Sequence, residues 1–340
     1  MARSQPAPPE VRSWSASRGA AMGPAGGRGS ADVQVAVVGS LNRDLTLVLD
    51  RLPGPGETLL AQRALRGSGG KGANQAAAAA VAGAPVSMIG AVGDDEAGVS
   101  MLADLRSLGV DTAGVRTIAG AYSGGATILL DATRAENMIV VDPGANAALR
   151  PEDVRVAAVR DAAVLLAQLE TPIETVLAAA LWASGKVVLN AAPFLKLPDE
   201  LLDRADVVVV NQSELAALAG TPEPETLAQA EAILVGLAPR HAMIVTAGPA
   251  GALVSAPVAT PGPAPLLTRV PALALTPLDS TGAGDCFCGV LAARLALGAE
   301  LVPATRAACV AASLSTLALG ARGGLPDRAR IERALTEQPD

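Results

Sequence analysis

Six short runs of this chain are almost wholly apolar: Val33–Gly39, Val86–Val92, Ala163–Gln168, Val187–Asn190, Val207–Val210 and Ala242–Thr246. A strand with one wet face alternates polar and apolar residues, so strands apolar on both sides need cover on both. Helical spacing separates most of them, at Gly72–Ala82, Glu96–Leu108, Ile173–Ser184, 212–219 and 225–237, and helices 283–297 and 303–318 close the core. Alternating strands and helices specify an α/β fold with a parallel sheet covered on both faces. Two stretches break the rhythm. Residues 45–64 hold strand-like Leu45–Leu49 and Thr58–Ala64 about the turn Pro53-Gly-Pro-Gly56, and 117–141 hold a hairpin, Ala126–Asp131 with Asn137–Val141. They predict a small accessory sheet inserted into the main domain.

Residues 1–30 are rich in Ala, Gly, Ser, Pro and Arg and lack an apolar h-region, so they read as a disordered tail rather than a secretory signal. Residues 31–330 read as the folded domain and 331–340 as a C-terminal tail. The 26 basic and 33 acidic residues leave a net charge of −7, which argues against nucleic acid or an anionic membrane as partner. No apolar run reaches membrane-spanning length without a polar, Gly or Pro interruption. The three cysteines, Cys286, Cys288 and Cys309, have no disulfide spacing, so a reducing cytoplasm is the simplest location. The only histidine is His241, which shifts the weight of acid–base chemistry onto carboxylates.

The stretch with most chemistry is Asp279-Ser-Thr-Gly-Ala-Gly-Asp285, followed by the helical run Cys286–Leu297. The amides of Gly282, Ala283 and Gly284 then sit at a helix N-terminus, a site suited to an anion. A carboxylate beside an anion site is electrostatically awkward unless Asp285 takes a proton from a hydroxyl while the amides hold a phosphoryl group. The alternative is a plain glycine turn with an acidic first helical turn. Gly67-Ser-Gly-Gly-Lys-Gly72 matches a dinucleotide fingerprint in letters, but does not follow the first strand of a compact βαβ unit. As a glycine loop opening a helix, Gly70, Lys71 and Asn74 offer backbone, ammonium and amide groups to a polyhydroxylated ligand. Asn42 and Asp44 follow the first strand, and an Asp can accept two hydroxyls of a diol. Glu170 ends another strand at the same edge. Asn211-Gln-Ser-Glu214 reads as a helix cap or as a Glu holding Mg²⁺ through water near phosphates. Thr246-Ala-Gly-Pro-Ala-Gly251 reads as a hairpin or as a backbone bed for a nucleotide.

These motifs occur in a particular order: Gly39-Ser-x-Asn42-x-Asp44, Gly69-Gly-Lys-Gly-Ala-Asn-Gln-Ala76, Gly144-Ala-Asn-Ala147, Gln168-Leu-Glu170, Asn211-x-x-Glu214, Thr246-x-Gly and Asp279-Ser-Thr-Gly-Ala-Gly-Asp285. From about residue 33 to 328 the chain resembles the ribokinase branch of the PfkB carbohydrate kinases. The resemblance implies a three-layer α/β/α sandwich with a small β-sheet lid that also forms a homodimer contact. It implies ATP-dependent phosphorylation of D-ribose, with Asp285 as general base and Gly282, Ala283 and Gly284 as anion hole. Asn42, Asp44, Gly70, Lys71, Gly72, Ala73, Asn74 and Glu170 would hold the sugar. Asn211, Thr246, Ala247, Gly248, Pro249, Ala250, Gly251 and Gly284 would contact ATP, and Glu214 would act on Mg²⁺. K⁺ would sit at Asp279 and Thr281 with Ser315, Gly320 and Gly324, where Gly324 stands in place of a frequent Ser. Cys309 stands in place of an Asn on the adenine side. A kinase of the same family for another pentose, a ketohexose or a nucleoside is the alternative.

Overall fold

The computed structural model describes residues 34–131, 133, 137–256 and 266–337, so the expected tail at 1–30 lies outside the described residues. The strands are β1 (Val35–Val38), β2 (Asn42–Leu49), β3 (Arg63–Gly69), β4 (Val86–Gly93), β5 (Asp111–Ile118), β6 (Gly124–Asp131), β7 (Asn137–Asp142), β8 (Val164–Ala167), β9 (Lys186–Asn190), β10 (Val207–Asn211), β11 (Ala242–Thr246), β12 (Ala252–Ser255) and β13 (Leu267–Val270). One sheet has the order β13-β12-β11-β10-β9-β8-β1-β4-β5, and a second has β3-β2-β6-β7. All neighbours from β11 to β5 run parallel; β12 and β13 add antiparallel strands at one edge.

Alternate residues of the parallel strands feed two separate cores. Val35 and Val37 of β1, Val164 and Leu166 of β8, and Val207 and Val209 of β10 pack on one side. Ala36, Val38, Leu165, Ala167, Val208 and Val210 pack on the other. The strands are apolar throughout because each face meets its own helix layer. The first layer holds helices Lys71–Val81 and Ala283–Ala296, whose seam is built from small residues. A Cβ at Gly289 would lie 2.4 Å from the Gln75 carbonyl oxygen and 2.7 Å from the Ala78 Cβ, so only glycine permits this approach.

The small sheet departs from the expected limits. β3 starts at Arg63 and continues to Gly69, pairing Asp44 with Gly67 and Asn42 with Gly69, while residues 58–62 are not strand. The glycine-rich 67–69 stretch is thus strand rather than loop, held by the ladder with β2. Residues 117–118 belong to β5 of the main sheet, and the small sheet resumes at Gly124. Residues 331–337, expected as tail, lie in helix Arg328–Glu337, whose Ile331 is fully buried in the core. Among the described residues no helix is long and apolar enough to cross a membrane.

Candidate active site

The carboxyl ends of the parallel strands gather the polar residues at one edge, as open α/β sheets do. Ser40 follows β1, Gln168 and Glu170 follow β8, Asn190 ends β9, Asn211 ends β10 and Thr246 ends β11. Helix Ala283–Ala296 starts at the same edge, with Asp285 in its first turn and 8% exposed.

Both oxygens of Asp285 accept hydrogen bonds from side-chain amides. Asn74 Nδ2 donates to Oδ2 at 3.0 Å and Gln75 Nε2 to Oδ1 at 3.0 Å. Gln75 is itself held, because Gln168 Nε2 donates to its Oε1 at 2.6 Å. Two neutral donors fix the carboxylate without neutralising it. Gly282 caps the helix with φ 74°, a left-handed conformation that suits glycine. Of the expected anion-hole amides, Ala283 donates to the Ser280 carbonyl at 3.1 Å and is not free. The amides of Gly282 and Gly284 have no acceptor among the described residues. The turn at Ser280 closes a hydrogen bond that the sequence does not reveal, and it occupies the Ala283 amide.

The residues expected to hold the sugar form an interlocked group. Asn42 is buried, and its Oδ1 accepts from Asn146 Nδ2 at 2.8 Å; Asn146 Oδ1 in turn accepts the Leu41 amide at 2.9 Å. Among the described residues the buried Asp44 Oδ1 has no hydrogen-bond partner, an orphaned acceptor. Burial and the nearby Glu170 and Asp285 carboxylates raise the Asp44 carboxyl to about 6, against opposing pulls from Arg322 and the Ala126 amide. Glu170 Oε2 accepts from Ser40 Oγ at 2.5 Å and from the Lys71 amide at 3.0 Å, at the N-terminus of helix Lys71–Val81. Gly70 is the N-cap of that helix. The Gly72 and Ala73 amides, expected to face sugar, instead donate to Ser40 Oγ and the Ser40 carbonyl. They are used up because the turn after β1 packs directly on the helix start.

Lys71 lies between this group and the next. Its side chain lines a cavity with Asp285, Glu214, Asn211, Thr246 and Gly284, beside the residues expected to meet nucleotide. Burial alone would lower its ammonium, but the Asp285, Glu170 and Glu214 carboxylates outweigh it and raise it above its ordinary value. Burial raises the Glu214 carboxyl, against the Asn211 amide and Lys71. Glu214 Oε2 accepts the Asn211 amide at 2.8 Å while Asn211 Oδ1 accepts the Glu214 amide, a reciprocal cap.

A second, more apolar cleft adjoins this cavity. Thr246, Gly248, Pro249 and Gly251 line it, and Gly284, Phe287 and Cys309 form its opposite wall. Ala247 and Ala250, expected here, line neither space. Ala247 is buried beneath the turn with its amide on the Gly251 carbonyl, and Ala250 is exposed. Cys309 Sγ lies 4.0 Å from the Val270 carbonyl oxygen.

The residues expected at a cation site lie behind the turn expected to bind an anion. Asp279 accepts the Thr281 amide at 2.9 Å and the Gly320 amide at 2.8 Å. Burial would raise the Asp279 carboxyl, but hydrogen bonds from Thr281 and the Gly320 amide hold it below its ordinary range. Gly324 packs on the Ser315 carbonyl so closely that a Cβ would lie 2.1 Å from its oxygen. Both Asp279 oxygens thus accept backbone amides, and a serine at 324 does not fit this backbone. Sequence reasoning missed Ser40, Gln75 and Arg322 as site residues. Gln75 lies inside one of the ordered motifs, so a hint was present; Arg322 had none.

Comparison with known proteins identifies the family. The pfkB family carbohydrate kinase pattern matches residues 32–328. Ribokinase of Bacillus subtilis is 36% identical over 307 residues, which cover 89% of this chain and 99% of that protein. Deoxyribokinase of Salmonella typhimurium is 33% identical over 86% of this chain and 96% of its own. The structure of Arabidopsis thaliana ribokinase complexed with ribose and ATP superposes with a TM-score of 0.79 at 30% identity, covering 89% of this chain and 99% of that one. The chain belongs to the pfkB family of carbohydrate kinases.

Proposed function

We propose that this chain transfers the γ-phosphoryl group of ATP to the 5-hydroxyl of D-ribose, giving D-ribose 5-phosphate and ADP. The observation that carries the reading is Asp285, a fixed carboxylate between an orphaned Asp44 acceptor and a cavity lined by Lys71 and Glu214. Sugar hydroxyls donate to Asp44 Oδ1 and are bounded by Asn42, Gly70, Asn74 and Glu170. Asp285 accepts the proton of the 5-hydroxyl as its oxygen bonds to the γ-phosphorus, and the bond from that phosphorus to the leaving ADP oxygen breaks. The Gly282 and Gly284 amides and the Lys71 ammonium face the charge on the transferring group. The adenine side lies in the cleft of Gly248, Pro249, Gly251 and Cys309.

Glu214 is suited to hold Mg²⁺ through water, and the ion would neutralise phosphate charge. Asp279, with the backbone at Thr281, Ser315 and Gly320, is suited to K⁺, the Gly324 position contributing no side chain. The lid strand β7 exposes Met138, Ile139, Val140 and Val141 in succession, which supports a homodimer through the lid. Sedimentation as a monomer at all concentrations would sink that assembly. The buried, unpaired thiols are compatible with action in the cytoplasm.

The test is a sugar panel with ATP and Mg²⁺, including 2-deoxyribose, fructose and a nucleoside. Ribose should give the highest kcat/KM; ribose ranking well below another member would refute the substrate while leaving the kinase.

A further inference from the structure

We propose that Arg322 is a positioning residue of the transfer site, holding the Asn74 amide so that its NH₂ group faces the Asp285 carboxylate. The inference rests on the sugar-kinase reading. Three successive residues after helix Leu301–Ser315 each touch a different part of the site. The Gly320 amide donates to Asp279 Oδ2 at 2.8 Å. Ala321 fills the space beneath Gly282, where a Cβ would come within 2.6 Å of the Ala321 Cβ. Arg322 Nε donates to Asn74 Oδ1 at 2.9 Å, and Nη2 to the Gly69 carbonyl at 3.3 Å.

An asparagine side chain carries an acceptor on one side and a donor on the other, whereas a guanidinium only donates. A flipped Asn74 would set donor against donor at Arg322 and acceptor against acceptor at Asp285. The guanidinium therefore selects the orientation in which Nδ2 donates to Asp285 Oδ2. On the opposite side of the carboxylate Gln168 Nε2 donates to Gln75 Oε1, but as an amide it can present either group and does not select the orientation as a guanidinium does. The base is thus aligned by two amides, of which Asn74 is locked from behind by a group that only donates. The Arg322 charge also faces Asp44, where it opposes proton uptake favoured by burial, Glu170 and Asp285. Asp104, Asp285 and Asp44 are the carboxylates whose field reaches Arg322.

The test compares wild type, Arg322→Ala, Arg322→Lys and the pair Asn74→Ala with Arg322→Ala. Arg322→Ala should lower kcat about 10- to 100-fold with sugar KM changed less than about threefold, the split expected when alignment of a base is lost. It should also move the pH midpoint of sugar binding upward. Arg322→Lys keeps the charge without the planar fork, so kcat should stay low while the midpoint returns toward wild type. The double variant should lose little beyond Asn74→Ala alone, because Arg322 acts through Asn74. Wild-type kcat in Arg322→Ala, an unmoved midpoint, or additive losses in the double variant would overturn the proposal. A wild-type protein that phosphorylates no sugar would instead overturn the function on which it rests.

Discussion

Lowering the pH from 7 to 5 should weaken sugar binding about tenfold through Asp44 alone. Its carboxyl lies at about 6, raised by burial and by Glu170 and Asp285, and its Oδ1 is buried without a partner. Only the ionised form offers full acceptor capacity to sugar hydroxyls. With a midpoint at about 6, roughly nine-tenths is ionised at pH 7 and roughly one-tenth at pH 5, which sets the tenfold change. The sign for folding is opposite. A carboxyl raised above its unfolded value of 3.8 adds stability below that value, lost as pH rises through about 6. Loss of binding at pH 5 thus does not arise from Asp44 loosening the fold. The assay is calorimetric titration of ribose into the nucleotide-free protein at pH 5, 6 and 7, in buffers of different ionisation enthalpy. Near pH 6 binding should release protons. Asp44→Asn should bind more weakly at pH 7 and show little dependence over this window. An affinity flat from pH 5 to 7 in the wild type, or the same inflection in Asp44→Asn, would refute the reasoning.

Asp285→Asn should leave ribose affinity nearly intact and lower kcat by ~10²–10⁴, the scale of a lost general base; near-normal turnover would remove the residue from that role. Gly282→Ala places a Cβ 2.6 Å from the Ala321 Cβ at φ 74°, so thermal unfolding should show a loss of about 1–3 kcal/mol, and kcat should fall about tenfold or more as the turn shifts. An unchanged melting profile would show that the turn tolerates a side chain. Replacing K⁺ by Na⁺ should lower activity through the Asp279 site, and a Tm that rises with K⁺ but not with Na⁺ should accompany it. Identical behaviour in the two salts would remove the cation from Asp279.

The parallel sheet is legible in the sequence because each strand is apolar on both faces, a pattern that few other architectures produce. Asp285 and the Gly282 turn are legible for a similar reason: glycines beside a carboxylate at a helix start have a narrow range of uses. What stays hidden depends on partners remote in sequence. Arg322 meets Asn74 across 248 positions, and Ser40 meets Glu170 across 130. Arg322 carries no local mark of its role, and the motif that holds Ser40 does not disclose its partner. The Gly67-Ser-Gly69 segment reads as loop because glycine disfavours strands in isolation, whereas here the ladder with β2 decides. Helix Arg328–Glu337 is easily overlooked because its core face, Ile331 with Ala334 and Leu335, is short and set among many charges.

The close seam at Gly289 has a consequence for how this enzyme can adapt. It sets the separation between the helix that carries Asp285 and the helix that carries Asn74 and Gln75. Each of those amides stands 3.0 Å from the carboxylate. Widening the seam by one methyl group would stretch both contacts at once, although the added carbon lies a turn away from any ligand. The usual route to a sturdier protein, filling the interior with larger side chains, therefore runs against turnover along this line. The abundance of alanine there acts as a gauge on the chemistry, and selection for heat resistance would have to work on other faces of the molecule.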